Sequence, residues 1–561
     1  MPKTATGQAA APAADASVGP LERGLTVLRT LALAPGNRLR PSDLVRATGL
    51  ARSPVDRIAA TLVRLGHLRE QDGRDLVLTP KVLEFGLAYL RSSRFPQALS
   101  PLAVALADDL DESVSVAVPD DDAVRFVVQT PRRRALSVTF RTGDALPAER
   151  CAPGALFAAE WDDRRFERWH ARVLADPGNA GFPALPRTPH RPAQGPAPAP
   201  SPAQFRALAA EAARHGWALD DQLVEPGLIA VAVPVRDGSG NVVAALSVAS
   251  HTSRHSAASL RDRALTAMLD TAQQMALALG VHEDQPAVQP PSRDDSLDPK
   301  QELGPEYLQS LARGLSVLAS LATPGGMTLA EVAQATALPR ATARRSLLTL
   351  EHLGYVAEDG RRFSALPRVL ELGYPTVSAR RLADLAQPHL VDLVHRVHES
   401  TSVAVLDGPD IRYVARVAAS RIMHVDITVG TRFPAHATSL GRVLLAGLAP
   451  DRRAAWLAGA GLTPLTRHTV TDPARLEALL RDTESNGYAL VDQELEEGVR
   501  SVAVPLRGPD GRVVAAMNVS LHAGRTALQD VPGLLLPALR ETAKHITEDI
   551  ALVFALQPFE P

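Results

Sequence analysis

An internal duplication is the feature that most constrains the fold of this chain. The phrase LERGLTVLRTLAL, which begins at Leu21, returns as LARGLSVLASLAT from Leu311, an offset of about 290 residues. LTPKVLEFG, from Leu78, returns as ALPRVLELG from Ala365, so that order and spacing both persist. A repeat of this length indicates two copies of one architecture in tandem, each with its own core.

The front of the second copy has the pattern of a helix-turn-helix. Leu329, Val332 and Ala333 form one apolar stripe, and after a break at Pro339 a second stripe runs through Ala343, Leu347, Leu350 and Leu353. The opposite face of the second helix carries cations and small hydroxyls, which suits the phosphate-lined groove of DNA. Tyr355 and Phe363 flank an Asp-Gly turn, which is typical of a hairpin and therefore predicts a wing.

These patterns give a set of candidate DNA-binding residues in both copies. In the second copy they are Arg340, Thr342, Arg344, Arg345, Thr349, Arg361 and Arg362, and in the first they are Arg52, Ser53 and Arg57. The first copy departs in three ways: Ser53 and Pro54 predict a capped helix start, Asp56 stands in place of Arg344, and Asp75 in place of Arg362. Acids near phosphate weaken attraction, so we expect a different or weaker half-site for the first copy.

The larger back of each copy alternates strand-like and helical runs, which favours an antiparallel sheet with helices on one side and room for a small ligand. The predicted class is therefore multi-domain α+β, with two copies of a winged helix-turn-helix domain followed by an α+β domain. The predicted segments are a disordered tail (1–18), winged helix-turn-helix 1 (19–90), α+β domain 1 (91–281, with a loop insertion at about 177–202), a linker (282–305), winged helix-turn-helix 2 (306–377) and α+β domain 2 (378–556).

Composition excludes several classes of protein. The formal net charge is −2, so any DNA contact depends on a local basic face. The single cysteine, Cys151, excludes an intrachain disulfide framework or thiolate zinc cluster and is expected to fill core space. With no secretory leader pattern and no apolar run of about 18 residues, we expect a cytoplasmic protein without a membrane partner. We expect no cofactor and no bound metal.

Several segments of the second copy resemble the IclR family of bacterial transcription regulators: RRSLLTLEHLGYV, RIMHVDITVGTRFPAHATSLGRVLLAGL and ALVDQELEEGVRSVAVPL. They look most like the branch that governs β-ketoadipate-pathway genes in response to protocatechuate, 4-hydroxybenzoate or related aromatic acids. The resemblance implies a winged-helix domain that binds a palindromic double-stranded DNA operator as a dimer. It also implies a GAF-like or profilin-like effector-binding domain for a small carboxylate. Family members usually carry one such unit, so here one chain can supply both half-site readers.

The resemblance also implies an effector pocket in the second copy. Its residues are Arg432, His436, Thr438, Ser439, Asp492, Ser501, Asn518 and Ser520. A carboxylate needs such cationic and hydroxyl donors within an otherwise apolar wall. At the matching places the first copy has Ala145 for Arg432, Glu149 for His436, Cys151 for Thr438, Ala152 for Ser439, Ser247 for Asn518 and Ala249 for Ser520. We therefore expect the first copy to be a weakened or retired sensor.

Other interpretations stay open at this level. His436 is also explained as a structural histidine and Arg432 as a surface cation, and a metal site at His436 and Asp492 has too few ligands. A tandem interaction scaffold without DNA binding is the main alternative function. A hydrolase of aromatic-acid esters is the other, although the sequence has no G-x-S-x-G elbow. The effector, the operator sequence and the direction of regulation are open, as is self-association into a dimer of pseudo-dimers.

Overall fold

The computed structural model describes residues 19–71, 75–132, 140–185, 200–280, 307–419 and 427–556. The chain divides into two compact units, Met1–Pro375 and Thr376–Pro561. The first unit contains both winged-helix domains and the first α+β domain, and the second unit contains the other α+β domain. The predicted tail at 1–18, the linker at 282–305 and part of the insertion, at 186–199, lie outside the described residues.

In the part of the first winged-helix domain that the structure describes, three α-helices accompany a three-stranded antiparallel sheet of order β1-β3-β2. Its elements are α1 (Pro20–Leu33), β1 (Arg38–Leu39), α2 (Pro41–Thr48), α3 (Arg52–Arg64), β2 (Leu68–Gln71) and β3 (Asp75–Leu78). The predicted turn at Asp72-Gly73-Arg74 lies outside the described residues.

The predicted cap of α3 is wrong. The helix begins at Arg52 with Ala51 as its N-cap, and no side chain makes a capping hydrogen bond. Ser53 is therefore the second helical residue. The amide groups of the first helical turn have no partner within the helix, so a proline is tolerated anywhere in that turn. Pro54 therefore indicates the first turn of α3 but does not identify its first residue.

The second winged-helix domain has the same plan, with strand order β10-β12-β11. Its elements are α10 (Gln309–Ser320), β10 (Met327–Thr328), α11 (Leu329–Ala335), α12 (Arg340–His352), β11 (Val356–Asp359) and β12 (Arg362–Ala365). Thr328 and Glu331 form a reciprocal capping box at the start of α11. Asp359 pairs with Arg362 across the predicted hairpin, and Gly360 has a φ of 61° in the turn, so the predicted wing is confirmed.

The two winged-helix domains pack against each other through α1 and α10. A Cβ atom added at Gly24 would overlap the side chain of Leu311, and one added at Gly314 would overlap that of Leu21. Because Leu21 and Gly24 occupy the same places in the first copy as Leu311 and Gly314 in the second, the contact is reciprocal. This is the isologous packing of a twofold dimer, built here within one chain.

The first α+β domain follows the first winged helix. Helix α4 (Leu83–Ser93) leads into it, and its own elements are α5 (Phe95–Leu110), β4 (Ser113–Asp120), β5 (Ala123–Thr130), β6 (Ala145–Pro147), α6 (Ala152–Ala158), α7 (Asp163–Ala175), α8 (Pro202–His215), β7 (Ala218–Asp221), β8 (Leu228–Arg236), β9 (Val242–His251) and α9 (Ala257–Gly280). The antiparallel sheet has the order β6-β5-β4-β9-β8-β7.

The second α+β domain repeats this topology with the order β15-β14-β13-β18-β17-β16. After a short helix α13 (Tyr374–Val377), its elements are α14 (Leu382–Val397), β13 (Ser400–Asp407), β14 (Asp410–Val417), β15 (Arg432–Pro434), α15 (Ser439–Ala446), α16 (Pro450–Gly459), α17 (Pro473–Asn486), β16 (Ala489–Asp492), β17 (Val499–Arg507), β18 (Val513–His522) and α18 (Val531–Val553).

Helices cover both faces of this sheet, so the prediction of helices on one side only was wrong. Helices α14 and α18 pack together and on strands β14 and β17, whereas α15 packs on β13, β17 and β18. The successive residues Val502, Ala503 and Val504 are all buried, although neighbours along a strand point to opposite faces. A continuous buried run of this kind is what a sheet covered on both faces requires.

Candidate DNA-binding face and effector site

Helix α12 presents a cationic face. Arg340, Arg344 and Arg345 are exposed, and none of the three makes an ion pair with a residue that the structure describes. The opposite side of the helix buries Ala343 and Leu347 against the domain. The predicted cations are therefore available to a polyanion, while the apolar stripe holds the helix in place.

The remaining candidates of the second winged helix have more varied surroundings. Arg361 is exposed in the turn of the wing. Arg362 donates to the carbonyl of Gly326 at 2.7 Å and lies 3.7 Å from Glu331, so it also ties the wing to the start of α11. Thr342 is half-buried. The hydroxyl of Thr349 donates to the carbonyl of Arg345 at 3.0 Å, within the helix.

In the first winged helix several charges are paired within the domain. Arg52, Ser53 and Arg57 are all exposed on α3, and Arg52 lies 3.5 Å from Asp56, one turn further along.

The acid that stands in place of Arg362 is also neutralised. Asp75 lies 3.6 Å from both Arg38 and Arg40. Asp75 therefore adds little net repulsion toward phosphate, although an acid in place of Arg362 would by itself weaken the attraction.

We expect Arg345→Ala to lower DNA affinity and to reduce the slope of log affinity against log salt by about 1, because one phosphate contact is lost. Titrating labelled duplex at several salt concentrations measures both quantities. Arg214→Ala is the control, since Arg214 is exposed on α8 of the first α+β domain and should leave the slope unchanged. An unchanged slope in Arg345→Ala would remove this residue from the interface.

In the second α+β domain, the start of α15 is fixed by close packing and by a cap. The hydroxyl of Thr438 accepts a hydrogen bond from the amide of Gly441 at 3.0 Å. A Cβ atom at Gly441 would overlap the carbonyl oxygen of Ala435, so only glycine allows this approach. Thr438, one of the predicted pocket residues, is therefore the N-cap of α15. This cap positions Ser439, the first residue of the helix, beside the sheet.

A ribbon of buried and half-buried polar side chains runs from α15 onto the sheet. The hydroxyls of Ser439 and Ser501 are 2.8 Å apart. Ser501 is paired in register with Ser520, and the Asn518 amide donates to the Ser520 hydroxyl at 3.0 Å. Four of the predicted pocket residues are therefore brought together on the face that α15 covers.

Arg442 extends this ribbon by one helical turn from Ser439. Its guanidinium donates to Glu494 at 2.6 Å, and both side chains are buried. Neither residue was among the predicted pocket residues. The sequence feature that could have identified Arg442 is its position as a cation within the otherwise apolar run LGRVLLA, since a buried charge requires a partner.

Two polar atoms in this region have no hydrogen-bond partner. Among the described residues from 376 onward, these are Nε of Arg442 and Oδ1 of Asn518. One atom is a donor and the other an acceptor, and a buried polar atom without a partner costs about 1–3 kcal/mol. Such atoms are the natural contacts for a ligand with both an anionic and a donor group.

His436 is buried beside the same cluster. Its Nε2 lies 3.1 Å from the carbonyl oxygen of Thr463, which can only accept, so Nε2 carries the proton. Burial lowers the pKa of His436 below its ordinary value, and the positive charge of Arg442 lowers it further. The hydrogen bond to Thr463 raises this pKa but does not outweigh the burial. The imidazole is therefore neutral at pH 7.

This pKa shift predicts a pH effect on stability. Because the unfolded chain takes up the proton more readily, the contribution of His436 is present above about pH 6.5 and is lost as the pH falls below that value. We expect His436→Gln to lose less thermal stability than the wild type between pH 8 and pH 5.5. His468→Gln, at an exposed histidine, is the control. An identical loss in His436→Gln would contradict the assignment.

The structure does not bring Arg432 and Asp492 to the ribbon. Arg432 is exposed and pairs with Asp407 at 2.8 Å and Asp410 at 3.2 Å. Asp492 accepts from Arg500 at 2.8 Å, and strand alternation places Arg500 on the opposite face of the sheet from Ser501. No group of three or more His, Cys, Asp or Glu side chains in the described part of the chain is placed to hold a metal ion.

The matching region of the first α+β domain is occupied by protein. Glu149, in place of His436, accepts from the indole of Trp169 at 2.9 Å and from Arg172 at 2.6 Å. Trp169 and Phe205 are fully buried there, with ring centroids 4.8 Å apart. Alanines take the places of most of the polar ribbon. They are the buried Ala152, Ala155 and Ala230 and the partly buried Ala249, which match Ser439, Arg442, Ser501 and Ser520 in that order.

None of the described helices combines the length and apolar character needed to cross a membrane.

Comparison with known proteins agrees with this architecture. The model of the IclR helix-turn-helix domain matches residues 20–72 and 310–360, and the model of the bacterial transcriptional regulator IclR C-terminal domain matches residues 195–277 and 375–548. The chain is 40% identical over 248 residues to the Pca regulon regulatory protein of Pseudomonas putida. This aligned segment covers 44% of this chain and 85% of that protein.

Two further relatives show the same pattern of coverage. The p-hydroxybenzoate hydroxylase transcriptional activator of Acinetobacter baylyi is 32% identical over 247 residues, 43% of this chain and 91% of that protein. A solved transcriptional regulator from Rhodococcus sp. RHA1 is 53% identical, with a TM-score of 0.42, over 44% of this chain and 99% of that one. With both family domains present twice, this chain belongs to the IclR family of DNA-binding transcription regulators.

Proposed function

We propose that DNA binding by this regulator is controlled by a hydroxylated aromatic carboxylic acid held in the second α+β domain. The observation that carries the proposal is the pair of buried, unpartnered atoms, Nε of Arg442 and Oδ1 of Asn518. A carboxylate accepts from the first and a phenolic hydroxyl donates to the second, so the two atoms match the two kinds of polar group that a hydroxybenzoate carries.

The residues around these two atoms define the proposed site. Ser439, Ser501 and Ser520 supply hydroxyls along the ribbon, and neutral His436 adds a polar group without a charge. The names of two relatives, a p-hydroxybenzoate hydroxylase activator and a Pca regulon regulator, support an aromatic acid as the effector. We place the action of the protein in the cytoplasm, on double-stranded DNA.

We propose that the first α+β domain takes no effector. Its buried carboxylate, Glu149, already accepts from Trp169 and Arg172, so Arg172 is occupied and does not offer its charge to a ligand carboxylate. Indole and phenyl rings fill the space beside it. The domain instead serves the assembly of the unit that carries the two DNA readers.

Calorimetric titration of the full chain with 4-hydroxybenzoate, protocatechuate, benzoate and 4-hydroxybenzamide tests this proposal. We expect one site per chain, with benzoate weakened by the missing hydroxyl and the benzamide by the missing charge. Two sites per chain would contradict the division between the domains. Heat that is equal for all four compounds, or absent for all, would contradict the chemistry proposed for Arg442 and Asn518.

We also propose that one chain, with its two paired winged helices, is the unit that occupies an operator. Association of two chains into a dimer of pseudo-dimers would double the particle mass. Sedimentation of the protein alone distinguishes the two states.

A further inference from the structure

Helices α3 and α12 expose the same pair of cations at matching positions. Both helices are thirteen residues long, and each begins with an exposed arginine and carries another five residues later. These are Arg52 and Arg57 in the first helix and Arg340 and Arg345 in the second. Arginines of this kind provide charge toward phosphates, which positions a protein on DNA without reading sequence.

The positions between and beyond these arginines differ. Asp56 in α3 matches Arg344 in α12, and Ala60 matches Leu348, each at the same distance from the helix start. Leu348 is 46% exposed, which is unusual for a leucine among arginines, and it lies one helical turn from Arg344 on the same face. The two helices therefore share the positioning groups and differ in the groups that can contact bases.

The reciprocal contact of Leu21 with Gly314 and of Leu311 with Gly24 holds these two unlike readers in one compact unit. The backbone amide of Leu308 adds to this contact by donating to the hydroxyl of Thr61, at 3.0 Å, near the end of α3. The two helices thus belong to one pseudo-symmetric body, as the two halves of a dimeric DNA-binding protein do.

We propose that one chain reads an operator with two unlike half-sites, and that Asp56/Arg344 and Ala60/Leu348 determine the difference. Arg344 selects guanine through O6 and N7, and Leu348 selects thymine through its C5 methyl group. Asp56 accepts from the N4 amino group of cytosine at the matching position, and Ala60 makes no comparable apolar contact. The inference rests on the DNA binding of the family and not on the effector proposal.

The ion pair between Arg52 and Asp56 makes an acid tolerable on a DNA-facing helix. At 3.5 Å, Arg52 offsets the charge of the carboxylate, while both side chains remain exposed. An unpaired acid would be repelled by the phosphates, but a paired one still has oxygen lone pairs to accept from a base edge. The first half-site is therefore different in sequence rather than absent.

Selection of bound duplexes from a pool with a randomised core, using the full chain without effector, tests the proposal. The wild type is expected to select a site whose two halves differ at two neighbouring base positions. The double variant Asp56→Arg, Ala60→Leu should select a symmetric site with two halves of the second type. The reverse pair, Arg344→Asp and Leu348→Ala, should select a symmetric site of the first type.

The controls separate sequence reading from affinity. Arg52→Lys and Arg340→Lys should change affinity by less than tenfold and leave both half-sites as they are, since the positioning charge is kept. Replacing the selected thymine by deoxyuridine, which lacks only the methyl group, should weaken the wild type but not Leu348→Ala. A symmetric site selected by the wild type, or an asymmetric site unchanged by the Asp56→Arg, Ala60→Leu variant, would overturn the proposal.

Discussion

Gly24→Leu should lower operator affinity by about 100-fold, because it drives a side chain into the space that Leu311 occupies. The pairing of two readers makes the second DNA contact intramolecular, and avidity of this kind is worth about 10²–10⁴ in affinity. Overpacking at a tight contact also costs about 1–3 kcal/mol of stability. Electrophoretic mobility shift and thermal unfolding of the full chain measure the two effects.

Gly533→Leu is the matched control for this substitution. Gly533 also lies within a helix, α18, but nothing lies within 4 Å of an added Cβ atom there. Helix propensity alone favours leucine over glycine, so the control should be neutral or slightly stabilising. Adding Leu311→Ala to Gly24→Leu should restore part of the lost affinity. Wild-type DNA binding by Gly24→Leu would show that the α1–α10 contact is not needed.

Asn518→Leu and Arg442→Lys should each weaken 4-hydroxybenzoate binding by about 10- to 100-fold, through different parts of the ligand. For Arg442, a hydrogen bond to a charged group is worth about 1.5–3 kcal/mol, and for Asn518 a buried ligand hydroxyl left without its acceptor costs about 1–3 kcal/mol. Asn518→Leu removes the acceptor for the hydroxyl, so it should weaken 4-hydroxybenzoate far more than benzoate. Arg442→Lys keeps a positive charge beside Glu494 but loses the guanidinium fork, so it should weaken both ligands alike.

Ser247→Ala is the matched control in the first α+β domain, because Ser247 takes the place of Asn518 and is also buried. It should leave the calorimetric titration unchanged. If Ser247→Ala weakened binding as much as Asn518→Leu, the first domain would be a sensor as well. If Asn518→Leu weakened benzoate and 4-hydroxybenzoate equally, Asn518 would not recognise the hydroxyl.

The duplication made the plan of this fold predictable from sequence. Apolar spacing and the Asp-Gly turn located α11, α12 and the wing, because helix and hairpin signals are local. The predicted N-cap of α3 at Ser53, with Pro54 as the first helical residue, is wrong because a proline is tolerated throughout the first turn and does not identify one residue. Contacts between distant segments, such as that of Leu21 with Gly314, depend on packing that no local pattern contains. The repeated L-x-R-G phrase does contain the four residues of the reciprocal contact, but it does not show that they touch.

The candidate effector site was predictable only in part. Ser439, Ser501, Asn518 and Ser520 were expected from the resemblance and lie together, since they follow from the register of β17 and β18 and the start of α15. Arg432 was expected to supply the positive charge, but it faces Asp407 and Asp410 at the surface. Arg442 is the buried cation instead, and its partner Glu494 is 52 residues away along the chain, a pairing that only the folded sheet creates.

We propose that a single chain is a complete, unequal pair of DNA readers. Native mass spectrometry of the protein on a duplex trimmed to one selected site tests this claim most directly. We expect a complex of one chain and one duplex, which is lost in Gly24→Leu and kept in Gly533→Leu. A smallest specific complex that always contains two chains would contradict it, because each chain would then supply only one reader.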